Sequence, residues 1–252
     1  MIAASIRWLL ASLALLVAWP AAADLAATIE RVKPSVVMVG TYNRLGAPQF
    51  TLRGTGFAIG DGRMIATNAH VIADLNLAEG ASLVVRAATP IDKARPATVL
   101  SIDKAHDLAL LRIDGGALPP LTLRDSDTVK EGASIAFTGF PIGGALGFSP
   151  VTHRGILAAI TPIAIPGGNS QQLKGNLIRQ LKDGGFNIFQ LDATAYPGNS
   201  GGPMFDPETG EVIGIINMVF VKGSKEAALS QPSGISYAIP ANHLRALSDS
   251  RP

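Results

Sequence analysis

Short apolar-rich stretches, broken at Gly, Pro, Asn and Asp, run through most of the chain. Six precede residue 114, namely Val36–Tyr42, Thr55–Ile59, Met64–Thr67, Leu83–Ala87, Ala97–Ile102 and Leu108–Ile113, and each reads as a strand. Asp61-Gly62, between the second and third, is a hairpin signal because the pair tolerates positive φ. The stretch Gly116–Asp127, with Pro119-Pro120, has the turn chemistry of a linker. Six more strand candidates follow it: Ser134–Gly139, Val151–Ile160, Ile188–Asp192, Pro203–Phe205, Val212–Phe220 and Ile235–Ile239. Helical spacing appears in Leu25–Val32, which stops before Pro34, in Ala69–Leu75 and in Ala241–Leu247. Strands do not alternate with helices, which argues against a parallel sheet. The pattern predicts an all-β fold of two packed antiparallel barrels, residues 24–120 and 121–252, with a cleft between them. Pro166–Gly185 reads as an insertion whose middle, Leu173–Leu181, has amphipathic helical spacing.

Composition supports this picture and narrows it. The 252 residues are 47% hydrophobic and 16% charged, enough for a large core. Twenty-seven glycines and seventeen prolines, scattered along the chain, suit short strands and tight turns. Lys and Arg number 21 against 19 Asp and Glu, with no basic stripe suited to nucleic acid. Residues 1–23 read as a signal peptide: Arg7 precedes an apolar run from Trp8 to Trp19, and Pro20 leads into Ala21-Ala22-Ala23. An uncleaved anchor is the other use of this run, but a membrane span needs about 20 apolar residues and no stable span is expected after cleavage. Export to the periplasm or exterior would permit disulfides, yet the chain has no cysteine, so packing alone must hold it.

Three separated segments carry candidate chemistry. Thr67-Asn68-Ala69-His70-Val71 joins a strand to a short helix, which would hold the His70 imidazole at the cleft edge. Asp107 opens the apolar run Leu108–Leu111, so its carboxylate lies beside a core and requires a partner. Gly198-Asn199-Ser200-Gly201-Gly202-Pro203 sets a serine among glycines, where backbone can approach a reacting carbonyl. A hydroxyl is a weak nucleophile near neutral pH; a neutral imidazole can take its proton, and a carboxylate on the other ring nitrogen fixes the tautomer. His70, Asp107 and Ser200 are therefore the catalytic candidates, with the N–H groups of Gly198 and Ser200 as donors to an oxyanion. The same glycines fit Gly-x-Ser-x-Gly, the nucleophile elbow of α/β-hydrolases, which needs an acid and then a histidine downstream. His243 follows Ser200 but falls in a terminal helix without strand–helix repeats around it. His106 reads as a solvent-facing loop residue, and His153 and His243 have no partner in sequence. No ligand spacing suggests a metal, no glycine-rich cradle precedes a helix, and no cofactor is expected.

Together these segments resemble the trypsin-like peptidase domain, where base, orienting carboxylate and nucleophile follow in the order His, Asp, Ser. Gly139-Phe140-Pro141 with Thr152–Ile160, Gly210–Ile215 and Ile235–Asn242 extend the likeness over nearly all of residues 25–247 and narrow it to the Deg/HtrA-type branch. The resemblance implies two six-stranded Greek-key barrels, a short C-terminal helix, and serine endopeptidase activity on protein or peptide substrates through an acyl-enzyme. It gives His70, Asp107 and Ser200 the roles of base, orienter and nucleophile, and adds the Asn199 amide to the oxyanion hole. It places Thr194 at the base of the substrate pocket and Asn217, Met218, Val219 and Ile239 along its walls. None of these is acidic, which disfavours Lys or Arg before the scissile bond and points to a small or medium apolar residue. In that branch PDZ domains often follow the protease; few residues follow Leu247, so neither peptide-activated control nor a trimer is implied. Asn199 also stands where zymogen-type relatives carry an acid for a freshly cut N-terminus. The competing reading is a latent or catalytically silent, chaperone-like binding protein on the same barrels; an esterase is a weaker third.

Overall fold

A computed structural model of the chain describes residues 24–73, 80–88, 93–144, 147–163, 185–217 and 234–250. The expected signal segment, the 166–185 insertion except its last residue, and the pocket residues Met218 and Val219 lie outside the described residues.

Twelve strands close into two barrels in which every neighbouring pair is antiparallel. The first barrel uses β1 (Val36–Asn43), β2 (Phe50–Ile59), β3 (Met64–Asn68), β4 (Ala81–Ala87), β5 (Arg95–Asp103) and β6 (Leu108–Ile113), ordered β1-β2-β3-β6-β5-β4. The second uses β7 (Ser134–Gly139), β8 (Val151–Pro162), β9 (Asn187–Asp192), β10 (Pro203–Phe205), β11 (Val212–Asn217) and β12 (Ile235–Pro240). Its order, β7-β8-β9-β12-β11-β10, repeats the first barrel's connectivity, so both halves share one Greek-key plan. Among the described residues three α-helices accompany the barrels: α1 (Leu25–Val32), the single turn α2 (Ala69–Ile72) and α3 (Ala241–Asp249).

The apolar patterning explains how the barrels pack. Successive strand residues point to opposite faces, and a strand buried on both reads as a continuous apolar run. In β6, Ala109, Leu111 and Ile113 fill the first barrel, while Leu108 and Leu110 face outward into a cluster with Val212, Ile215, Ile239, Leu244 and Leu247. In β1, Val37 and Val39 point inward, whereas Val36 and Met38 meet Phe140 and Phe205 of the second barrel. The barrels are thus joined by two apolar seams, with α3 along one and Val32 of α1 in the other. Ile239, expected along a pocket wall, is fully buried in the first seam, because Leu244 and Leu247 of α3 pack in the same cluster.

Between Ile113 and Ser134 the linker is extended and bonded to both barrels. Leu118 and Leu121 donate to the Gly62 and Ala58 carbonyls, and Arg124 N–H donates to Val212. Gly62 turns the β2–β3 hairpin at φ 77°, and a Cβ there would collide with the Leu118 carbonyl.

His106, expected to face solvent, and His243, which has no partner in sequence, meet across this junction. The rings of His106 and His243 stack with centroids 4.0 Å apart, and Phe186 tilts onto both. His106 is half-buried rather than solvent-facing, because its Nδ1 sits 2.6 Å from Asp103 Oδ2 and its rings neighbours cover it. Burial, and then the neighbouring His106, push the His243 pKa down to about 4, against the opposing pull of Asp103 and Asp127. An unfolded histidine takes its proton near about 6.5, so between these values the unfolded chain binds the proton and the folded chain does not. Stability supplied by neutral His243 is therefore present above that window and lost as pH falls from about 6.5 toward about 4. Replacing His243 with Phe, which keeps a stacking ring, should flatten this part of the stability–pH curve. Urea midpoints of both proteins at several pH values across the window measure it; equal slopes would exclude His243 as the source.

Candidate active site

β3 ends at Asn68, and the chain turns into α2, which carries His70 on its first turn. The opposite side of this corner is Asp107, at the start of β6. Its carbonyl accepts from Ala69 N–H at 3.0 Å and Asn68 Nδ2 at 3.1 Å. Its carboxylate receives His70 N–H on Oδ1 at 2.8 Å, and on Oδ2 the His70 Nδ1 at 2.6 Å and Asn217 Nδ2 at 2.7 Å. The tight turn from Asp103, whose carboxylate takes the Ala105 and His106 N–H groups, puts Asp107 in the left-handed region at φ 53°. Such a conformation costs on the order of 1–3 kcal/mol and persists where the surroundings over-determine it. The five donors on Asp107 do so.

The His70 and Asp107 side chains are 31% and 16% exposed, so the carboxylate is the more shielded and the imidazole faces the cleft. With Nδ1 committed to Asp107, the free ring nitrogen is Nε2.

Ser200 comes from the other barrel, on the loop between β9 and β10. Thr55 of β2 grips this loop twice: its N–H donates to the Ser200 carbonyl at 2.8 Å, and its Oγ1 to the Gly198 carbonyl at 2.6 Å. Gly201, at φ 85°, lets the loop lie against β2 and β3, since a Cβ there would strike the Thr55 carbonyl and Thr67 Oγ1. Gly54 makes room for the Ser200 carbonyl and Val71 together, which brings the serine loop against the helix bearing His70. Ser200 is 6% exposed. Among the described residues its hydroxyl has no hydrogen bond, to His70 or otherwise.

The loop's amides sort into used and unused. Asn199 N–H donates to Tyr196 and Gly202 N–H to Asn199, while Gly201 N–H bonds Ile216 in β11. Pro197 carbonyl accepts from Ile142 N–H at 2.6 Å. Gly198 and Ser200 N–H make no hydrogen bond among the described residues. Asn199 does not join them as a donor: its N–H is taken, and its side chain is fully buried behind the loop with neither amide atom partnered.

Of the expected pocket residues, Thr194 is half-buried between the small buried Ala193 and Ala195. Ser236 holds that segment by donating to Ala193 O and accepting Ala195 N–H, both at 2.8 Å. Asn217 is not a simple wall residue, because its amide is spent on Asp107. The Asn217 bond to Asp107 and the Thr55 grip on the serine loop escaped the sequence reading. Asn217 carried a cue as the polar end of an apolar strand, and Thr55 carried one as a polar residue between two glycines. Among the described residues no group of three His, Asp or Glu is placed to hold a metal, and no helix is long and apolar enough to cross a membrane.

Several known proteases are similar to this chain. A probable periplasmic serine endoprotease DegP-like of Halomonas elongata is 32% identical over 187 residues, covering 74% of this chain and 32% of that protein. Human serine protease HTRA4 is 30% identical over 227 residues, covering 88% of this chain and 40% of the relative. This chain therefore spans well under half the length of these curated relatives. The solved structure of the HtrA-type protease AlgW with tripeptide superposes with a TM-score of 0.64 at 28% identity, covering 90% of this chain and 63% of that one. Residues 54–215, which run from the glycine beneath Ser200 through the three segments to β11, match the trypsin-like peptidase domain, and the chain belongs to that family.

Proposed function

We propose that this protein is a serine endopeptidase of the periplasm or cell exterior that cleaves peptide bonds through an acyl-enzyme. The observation carrying this reading is the Asp107 carboxylate, bonded to His70 Nδ1 from one barrel and to Asn217 from the other, beside a serine loop with two uncommitted N–H groups. The named relatives, periplasmic endoprotease among them, and the expected leader at residues 1–23 support the location.

In this reading His70 Nε2 removes the Ser200 Oγ proton as Oγ attacks the substrate carbonyl. The tetrahedral oxyanion receives hydrogen bonds from Gly198 and Ser200 N–H. His70 then returns the proton to the departing amine, leaving an ester on Ser200. Water, deprotonated by the same imidazole, releases the acid and restores the hydroxyl. Asp107 holds the ring and stabilises its cationic form without taking the proton. Apo enzymes often show long catalytic hydrogen bonds that tighten when substrate binds, so an unbonded Ser200 hydroxyl is compatible with activity. It equally favours a second reading, a latent binding protein whose triad does not align.

A fluorophosphonate probe separates the two. Mature wild type should be labelled and should degrade casein; Ser200→Ala should not be labelled, and His70→Ala should react about 10⁶-fold more slowly. Absence of wild-type labelling, with and without casein present, would instead select the binding protein, and turnover of a simple ester without casein cleavage would select an esterase.

Hydrogen bonds to charged groups contribute about 1.5–3 kcal/mol, so Asn217→Ala should lower kcat by about tenfold to a hundredfold with KM little changed. Steady-state kinetics on one peptide checks this; a rise in KM at constant kcat would return Asn217 to the pocket wall. The small residues around Thr194 support a small or medium apolar residue before the cleaved bond. Cleavage after Lys or Arg in a peptide library would refute that preference.

A further inference from the structure

We propose that the Thr55 hydroxyl is the positioning group for the oxyanion hole, an assignment that rests on the acyl-transfer reading above. Thr55 belongs to the first barrel, is fully buried, and its side chain is hydrogen-bonded to neither the imidazole nor the serine hydroxyl. Its Oγ1 donates to the Gly198 carbonyl at 2.6 Å and accepts the Phe140 N–H at 3.1 Å, so one oxygen joins the nucleophile loop to the end of β7.

The consequence follows from peptide planarity. In a trans peptide the N–H points opposite to the C=O, so fixing a carbonyl fixes the direction of the next residue's amide. The Gly198 carbonyl is held by Thr55 Oγ1, and the Asn199 N–H of the same peptide unit is held by the Tyr196 carbonyl, so that unit is pinned at both ends. The preceding unit is pinned by Ile142 N–H on the Pro197 carbonyl, which turns the Gly198 N–H to the side away from Ile142. Ile142 stands two residues beyond Phe140, whose own N–H the Thr55 hydroxyl accepts. Both clamps on the loop thus converge on Thr55. Gly198 is at φ 103°, a conformation open to glycine with a broad range of neighbouring angles, so the loop by itself does little to select one amide direction. Serine at this position could make the same bonds; valine keeps the shape and loses both.

The test compares Thr55→Val and Thr55→Ser with wild type, with Thr55→Ala replacing the valine variant should the latter not fold. Losing one oxyanion donor outright costs about 10²–10³ in kcat, and loosening one should cost less. The expected result for Thr55→Val is a kcat reduced about 10–100-fold with KM within about twofold, weaker inhibition by a peptide boronic acid in proportion to kcat, and recovery to within about threefold in Thr55→Ser. Wild-type kcat in Thr55→Val, or an equal loss in Thr55→Ser, would overturn the assignment. A readout independent of turnover is hydrogen exchange at the Asn199 amide, which should lose protection in Thr55→Val and keep it in Thr55→Ser. Unchanged protection in Thr55→Val overturns the assignment even where wild type proves unreactive to fluorophosphonate, an outcome that would itself remove only the peptidase reading.

Discussion

One carboxylate organises the space between the barrels. Asp107 immediately precedes β6, and it is bonded by a histidine of its own barrel and by an asparagine of the other. A half-shielded charge beside two apolar seams is costly unless its lone pairs are satisfied. Here the backbone amide and imidazole of His70 and the amide of Asn217 supply that satisfaction together. The requirement works in both directions: Asp107 orients His70, and the pairing of His70 and Asn217 with one carboxylate fixes how the end of β11 sits against the β3–α2 corner. Burial alone is non-directional and would allow the seams to slide. The directional hydrogen bonds at Asp107 select one docking among those that packing would permit.

Backbone strain collects at the same place. Among the described residues the two non-glycine positions with positive φ are Asp107 at 53° and Ile142 at 58°. Asp tolerates the left-handed region through its short polar side chain, whereas a β-branched residue there is a genuine outlier. Each is held by bonds into the site: Asp107 by donors from two strands and a helix, Ile142 by its 2.6 Å bond to the Pro197 carbonyl. Strain of this kind marks groups whose direction matters more than their local comfort. One outlier aims the carboxylate, and the other aims a peptide of the nucleophile loop.

The parts of this design that are local in sequence were readable, and the parts made by long-range contact were not. Short apolar runs bounded by turn residues located all twelve strands to within a few residues, because each run is set by the strand's own burial and the breakers at its ends. The exception in length is β2, which starts at Phe50 rather than Thr55; Thr51 and Arg53 point to solvent there and break the apolar signature. The segments bearing His70, Asp107 and Ser200 stood out because each is a distinctive short context. The bond of Asn217 to Asp107 and the place of Ile239 in a seam were not readable, since both depend on what the opposite barrel places against them. The stack of His106 on His243 joins residues more than a hundred positions apart, and no periodicity encodes it. Thr55 falls between these cases. Gly54 and Gly56 announce a close approach of backbone, but not that the approaching chain is the nucleophile loop.

The absence of cysteine sharpens what the seams must do. Without disulfides, the relation between the barrels rests on the two shared apolar clusters, the linker's backbone bonds and a few side-chain contacts such as Arg124 to Asp206 at 2.7 Å. His70 and Asp107 lie on one side of that junction, and Ser200 and Asn217 on the other. A displacement of about 1 Å between reacting groups can cost about a hundredfold in rate. The packing of Phe57, Leu108 and Leu110 against Val212, Ile215 and Ile239 therefore sets the separation of His70 and Ser200 as well as a stability. For the same reason the grip of Thr55 on Gly198 and Ser200 matters more here than in a disulfide-braced chain. It ties the Ser200 loop directly to the barrel that carries His70, so small movements of one barrel carry the loop with them rather than opening the gap.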